Sequence, residues 1–318
     1  MGAIRMSAVT KSFGAQIAVD GLDLEVPSGS LYGVIGPNGA GKTTSIRMIM
    51  SILFPDSGDL EVLGHRSALE AKDRIGYLPE ERGVYRKMRV EAFLLHIARL
   101  KGVADDRARA RIAELLERIE LPEVGKKKCE ELSKGMLQKI QFCASIIHEP
   151  DLIILDEPFS GLDPVSMRLL REQIQVEHRR GATILFSTHV MHQAEEICEH
   201  VVMIHKGRKV LDDPLSGIRS QYDPRTLIFE PLGTAEPAMP LLEMAEVERV
   251  REGERGTELT LRPDVDANVA MQKLISMVPV ARIELARPRL EDIFVGLVSD
   301  GGDDETLRSE LTEAKAET

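Results

Sequence analysis

Residues 31 to 50 read LYGVIGPNGAGKTTSIRMIM, and this stretch decides the fold. A short apolar run, LYGVI, meets a glycine-rich turn and then a helical pattern whose Met-rich part, IRMIM, is read as the buried face of that helix. Strand, turn and helix are the setting in which Gly36-Pro37-Asn38-Gly39-Ala40-Gly41-Lys42-Thr43 satisfies the pattern G-x-x-x-x-G-K-[ST]. Its glycines let the main chain wrap closely and aim N–H groups at phosphate oxygens, and the helix start adds partial positive charge. In that pattern Lys42 meets the β and γ phosphates and Thr43 a Mg²⁺ ion, while Thr44 completes the expected nucleotide-binding run. ATP with Mg²⁺ is the expected ligand.

Outward from this stretch, DLIILDE (151–157), ATILFST (182–188) and HVVMIHKG (200–207) are further short Val/Ile/Leu runs ending at polar residues or glycine. Such runs, alternating with helical patterns, predict an α/β fold with a mostly parallel sheet. Residues 7–26 alternate and are broken by Gly14 and Gly21, which predicts antiparallel β structure, and about 85–150 is charged, helical sequence inserted in the core. From 221 to 298 the pattern changes. TLIFE, PAMPLLEMA (237–245), VERVRE, TELTLR, DVDANVAMQKLISMV (264–278) and VARIELA (280–286) read as βαββαβ, a ferredoxin-like unit. Residues 299–318 hold seven acids against Arg308 and Lys315, and are read as a disordered acidic tail. The expected division is therefore 1–220, 221–298 and 299–318.

Composition narrows the function classes. The chain has 318 residues, 43% hydrophobic and 29% charged, which is ordinary globular usage. A net charge of −11 disfavours binding that rests on neutralising nucleic-acid phosphates, and no nucleic-acid partner is expected. Cys129, Cys143 and Cys198 lie far apart without a CxxC pair, so neither zinc nor a disulfide framework is indicated and a reducing, cytoplasmic compartment fits. No run approaches the roughly 18 apolar residues that cross a bilayer, so a membrane role is expected to come through a partner protein.

Asp156 and Glu157 end the run LIIL, where a buried strand delivers two carboxylates beside the phosphate loop. Asp156 is the expected Mg²⁺ holder and Glu157 the residue that orients and polarises the attacking water. Leu132-Ser133-Lys134-Gly135-Met136 then opens a helical stretch. With it, residues 1 to about 215 resemble the ATP-binding subunits of ABC transporters in the family's own order. GPNGAGKTT resembles the Walker A loop, IGYLPE (75–80) the Q-loop region, LSKGM the signature, LIILDEP the Walker B strand, and Ser160-Gly161-Leu162-Asp163 the D-loop. The resemblance implies that Phe13 stacks on adenine, that His189 is the switch histidine reaching a γ-phosphate, and that Ser133, Gly135 and Asp163 belong to the nucleotide site. It implies the P-loop ABC ATPase fold and a head-to-tail dimer with two ATP molecules sandwiched, since one chain does not aim its Walker loop and its signature at the same nucleotide.

Two departures stand out. Lys134 replaces a Gly of the signature, and Glu80 stands where most of the family has a Gln that touches Mg²⁺ and the water. A carboxylate oxygen ligates a hard cation at least as well, so Glu80 is retained as a metal-site residue with Thr43 and Asp156. PEERGVY and Pro288-Arg289-Leu290-Glu291-Asp292-Ile293-Phe294 resemble a subfamily with an added C-terminal domain that serves ABC-2-type permeases. The expected partners are such a permease and a second ATP-binding subunit, most simply another copy, at the inner face of the cell membrane. The competing reading is a soluble ABC ATPase of assembly, translation or repair; the chain lacks tandem nucleotide domains and long coiled-coil insertions. A degenerate binding module is disfavoured by Lys42, Asp156, Glu157 and His189 together.

Overall fold

The computed structural model describes residues 2–81, 83–221, 225–233, 244–253, 256–286 and 289–299. The chain forms two compact units, one built on residues up to Leu215 and rejoined from Phe294 onwards, the other running from Ser216 to Ile293.

The first unit is organised by strands that are buried on both faces. β3 (Leu31–Ile35), β6 (Leu152–Asp156) and β7 (Thr183–Thr188) are buried at every position, as parallel strands covered on both sides must be. With β5 (Ile75–Leu78), β8 (His200–His205) and β9 (Arg208–Pro214) they make a six-stranded sheet in the order β5-β6-β7-β3-β8-β9, parallel except for the edge strand β9. The predicted antiparallel element is a hairpin of β1 (Gly2–Phe13) and β2 (Gln16–Pro27), extended by β4 (Ser57–Val62) in the order β2-β1-β4. Its inward residues Ile4, Met6, Leu22 and Leu24 share one core with Val34, Ile154 and Leu185 of the large sheet and with Ile46, Met48 and Ile49 of α1 (Lys42–Ile49).

The helical insertion carries α2 (Val90–Leu100), α3 (Asp105–Arg118) and α4 (Lys134–Ile146). It is tied to α5 (Pro164–Arg179) by charge. Glu177 on α5 is buried and receives Arg111 at 3.4 Å, Arg118 at 3.2 Å and Arg180 at 2.8 Å. A buried carboxylate is tolerated only when paired and hydrogen-bonded in this way.

The second unit has β10 (Thr226–Pro231), β11 (Val247–Gly253), β12 (Gly256–Leu261), a helix Ala267–Met277 and β13 (Val280–Ala286). All strand pairs are antiparallel, in the order β11-β12-β10-β13, the ferredoxin-like arrangement. Leu227, Phe229, Leu259 and Leu261 pack with Ala270 and Leu274 as a core of its own. Of the helix expected at 237–245, residues 237–243 lie outside the described residues, and Met244 and Ala245 sit in a turn before β11. The acidic tail, 300–318, also lies outside them. The helix Leu290–Ser299 was not among the expected elements; its Phe294 is fully buried and meets His205 edge-on, 5.7 Å between ring centroids. Among the described residues no helix is long and apolar enough to cross a membrane.

Candidate active site

Strand register builds the site. Ile35 lies opposite Thr188, and Asp156 opposite Ser187, so the carboxyl ends of β3, β7 and β6 finish level on one edge of the sheet. Three segments leave the strands at that edge and converge there: the loop from Gly36, the Asp156-Glu157 pair and His189. In open α/β sheets this edge is where ligands bind.

The loop is shaped by close approach. Gly36 has φ +154° and a Cβ there would lie 2.1 Å from the carbonyl oxygen of Ile204; Gly41 has φ +109° and would meet that of Ala18 at 2.5 Å. Any side chain at either position collides with backbone. The turn after β8 braces the loop from outside: Gly207 N donates to Ala40 O and Asp20 N donates to Gly207 O, both at 2.9 Å. Pro37 and Ala40 are buried, whereas Asn38 and Gly39 are exposed at the tip.

Lys42, the first residue of α1, is buried, and its Nζ donates to Gly36 O at 2.7 Å and Pro37 O at 3.1 Å. It stands 3.9 Å from Glu157 Oε1. Burial pushes the ammonium below its ordinary pKa, and the charges of Glu157, Asp156 and Glu80 oppose that shift. Glu157 Oε1 also accepts from His189 Nδ1 at 2.8 Å, so Nδ1 carries the proton and Nε2 remains for another partner. Glu157 has φ +49°, a left-handed conformation that costs a non-glycine residue about 1–2 kcal/mol and is held by its N–H donating to Ser187 O at 3.2 Å.

Asp156 is 1% exposed. Its Oδ1 accepts from Ser187 Oγ at 2.5 Å, while Oδ2 is buried without a hydrogen-bond partner. Burial pushes this carboxyl above the usual range; Glu157 and Glu80 add to the shift, and the hydroxyls of Ser187 and Thr43 oppose it. An orphaned oxygen on a buried acid suits a cation that arrives with its ligand. Among the described residues no group of three or more His, Cys, Asp or Glu side chains is placed to hold a metal ion. Glu80 lies exposed just after β5 and acts electrostatically on both Lys42 and Asp156.

The remaining expected residues form separate places. Ser133 caps α4 by accepting from Met136 N at 3.3 Å, and Asp163 caps α5 by accepting from Val165 N, Ser166 N and Ser166 Oγ. Gly135 lies close to that cap, and Thr44 is half-buried in the first turn of α1. Among the described residues no hydrogen bond or ion pair links Ser133, Gly135 or Asp163 to Lys42. Phe13 sits half-exposed at the end of β1 with Lys11 Nζ 5.7 Å from its ring centroid. Sequence reasoning passed over Ser187, whose hydroxyl orients Asp156; the polar end of ILFST in an otherwise apolar strand was the available signal.

Comparison with known proteins agrees with this geometry. Residues 19–160 match the ABC transporter family, and 214–298 match the C-terminal domain described as ATP-binding protein DrrA1-3-like. The chain is 38% identical to the uncharacterized ABC transporter ATP-binding protein YhaQ of Bacillus subtilis (strain 168), over 90% of this chain and 95% of that one. It is 32% identical to the daunorubicin resistance ATP-binding protein DrrA3 of Streptomyces coeruleorubidus, over 94% and 96%. A solved ATP-binding subunit of an ABC transporter superposes with a TM-score of 0.64 at 30% identity, covering 69% of this chain and 92% of that one. The Gly36–Thr43 loop, the Asp156-Glu157 strand end and this likeness along nearly the whole sequence identify the chain as a member of the ABC transporter ATP-binding family, an ATPase that carries a DrrA-like C-terminal domain.

Proposed function

We propose that this ATPase works as a head-to-tail dimer around two ATP molecules and powers a separate membrane permease of the ABC-2 type. The observation that carries the reading is the trio Lys42, Glu157 and His189 meeting at one carboxylate oxygen, beside an Asp156 oxygen left unpartnered. Lys42 is placed to exchange its two carbonyl partners for phosphate oxygens. Glu157, held by His189, orients water and takes up its proton as the bond to the γ-phosphate breaks. Thr43, Asp156 and Glu80 are the residues that would hold Mg²⁺, whose charge would offset that of the phosphates.

Ser133 and Gly135 stand at the start of a 13-residue helix, an end suited to phosphate, and in this reading they serve the nucleotide of a second subunit. A homodimer is the simplest assembly, since one chain carries both halves of such a site. The permease reading rests on the relatives: DrrA3 is named for daunorubicin resistance, and a relative in Paraburkholderia xenovorans for Nod factor export. It places the protein at the inner face of the cell membrane, with residues 1–220 as the nucleotide domain and 221–298 as an accessory one. The test is co-expression with a candidate permease. Movement of the chain to the membrane fraction and co-purification support the reading; a chain that remains free of any membrane protein while performing its cellular role favours a soluble ABC ATPase. Dimerisation is tested on Glu157→Gln with ATP and Mg²⁺ by light scattering, where a persistent monomer counts against the sandwich.

A further inference from the structure

The first turns of α4 lie against the segment that carries Glu157. Gln138 is buried, and its Nε2 donates to Pro158 O at 3.1 Å, one residue beyond Glu157. One turn earlier, Lys134 runs along the same segment: a Cβ built on Gly161 would sit 2.6 Å from Lys134 Nζ and 2.9 Å from its Cε. Between them, a Cβ on Gly135 would meet Leu162 at 3.5 Å. Positions 134 and 138 share a helix face, so α4 touches the segment at two points about one turn apart.

That segment is tightly bonded within itself. Ser160 N donates to Glu157 O and Leu162 N donates to Phe159 O, both at 3.1 Å, and the run ends on the Asp163 cap of α5. Glu157 and Gly161 both take left-handed backbone, with φ +49° and +67°. A turn fixed so closely has little freedom to absorb a shift locally, and displacement at 158 or 161 reaches the carboxylate at 157. Lys134 has no ion pair or hydrogen bond among the described residues, so its contact is one of shape: a long side chain laid over a residue without one.

We propose that Gln138 and Lys134 are positioning residues for Glu157, so that the placement of the signature helix sets the placement of the water-orienting carboxylate in the same chain. This rests on the role proposed for Glu157. In a head-to-tail dimer it makes each nucleotide site sensitive to the other, because the helix whose start faces one ATP holds the carboxylate that acts on the second.

The test is steady-state ATP hydrolysis by the full chain. Gln138→Ala leaves Pro158 O unpaired, and kcat should fall about 3- to 10-fold, the worth of one hydrogen bond, while KM for ATP moves by less than about twofold. Lys134 is exposed, so Lys134→Ala spares the core; it should lower kcat by a smaller factor, and Lys134→Met, which keeps the length without the charge, should restore it. Gly161→Ala should cost less activity in the Lys134→Ala background than in the wild type. Wild-type kcat in both Gln138→Ala and Lys134→Ala overturns the proposal, as does a fall in kcat matched by an equal rise in KM. If Glu157→Gln itself retains full activity, the role of Glu157 fails instead.

Discussion

The six-stranded sheet of the first unit and the four-stranded sheet of the second handle polar residues in opposite ways. In the core sheet, LIILD of β6 and TILFST of β7 are buried throughout, and the groups that do chemistry gather where the strands stop. In β13 of the second unit, VARIELA, half-buried and exposed positions mix, and Arg282 pairs with Glu284 along the strand and with Glu230 across it. Burial on both faces leaves a strand only its end for reactive groups, so a parallel sheet concentrates them on one edge. A sheet with an open face disperses them. The catalytic work belongs to the first unit for this reason, and substitutions on either side strain or refine the contrast.

The largest effect expected is at the edge itself. Glu157→Gln should lower kcat about 10²- to 10⁴-fold, the usual worth of a general base, with ATP binding retained, whereas Glu284→Gln on the open face should leave both unchanged. Near-normal hydrolysis by the first variant breaks the contrast. Next, Phe294→Ala removes a fully buried ring from the first unit and should cost about 3–5 kcal/mol in urea unfolding, whereas Leu274→Ala should cost about 2–5 kcal/mol and act on the second unit's transition alone. A single shared transition for both would mean that the units do not unfold separately.

Smaller effects concern charge. Asp156 is pushed up by burial, so at neutral pH the folded chain holds a carboxylate that prefers to be neutral, and that preference subtracts from stability. Asp156→Asn should abolish turnover yet raise Tm of the nucleotide-free chain, each kcal/mol gained being worth roughly 2–4 °C at this size. An unchanged or lower Tm would show that the site does not strain the fold. Glu80→Ala should slow hydrolysis by about 3- to 10-fold and raise the Mg²⁺ requirement, and Glu80→Gln should keep most of the activity through its remaining oxygen donor. Superimposable rate curves against Mg²⁺ for wild type and Glu80→Ala would remove Glu80 from the metal site.

The smallest effect is on pH. His148 is pushed down to about 4, first by burial and then by the neighbouring charge of Lys101. Between about pH 6.5 and 4 the unfolded chain therefore binds a proton that the folded one refuses, and stability falls as pH drops through that window. His148→Gln should flatten the decline in urea midpoint between pH 7 and 5; an identical decline would assign it to other groups.

Legibility in the sequence divides along the same line. Continuous runs such as LIILD announce strands buried on both faces, and VARIELA was bounded correctly as β13 because flanking turn residues mark it. The Gly36–Thr43 loop and the Asp156-Glu157 pair were legible because their chemistry is local in sequence. Asp163 is expected at the nucleotide by resemblance alone; its part as the cap of α5 is what the adjoining Pro164 and Ser166 signal in the sequence. The helix Leu290–Ser299 escaped although Leu290, Ile293, Phe294 and Leu297 have helical spacing, because the βαββαβ pattern is complete without it. Gln138 and Ser187 were invisible for a different reason: their partners, Pro158 and Asp156, lie 20 and 31 residues away, and no local pattern encodes such a meeting.

The return of the chain to the first unit at Phe294 has a consequence for synthesis. A ribosome makes the strands of the ATPase core first, then all of the second unit, and only afterwards the residue that packs against His205. Domains commonly fold in the order they emerge, but here the earlier domain waits for the later one to be translated before its last contact can form. A truncated translation product therefore carries a core with an uncovered seam, and quality control that recognises exposed apolar surface has a means of telling it from the finished protein.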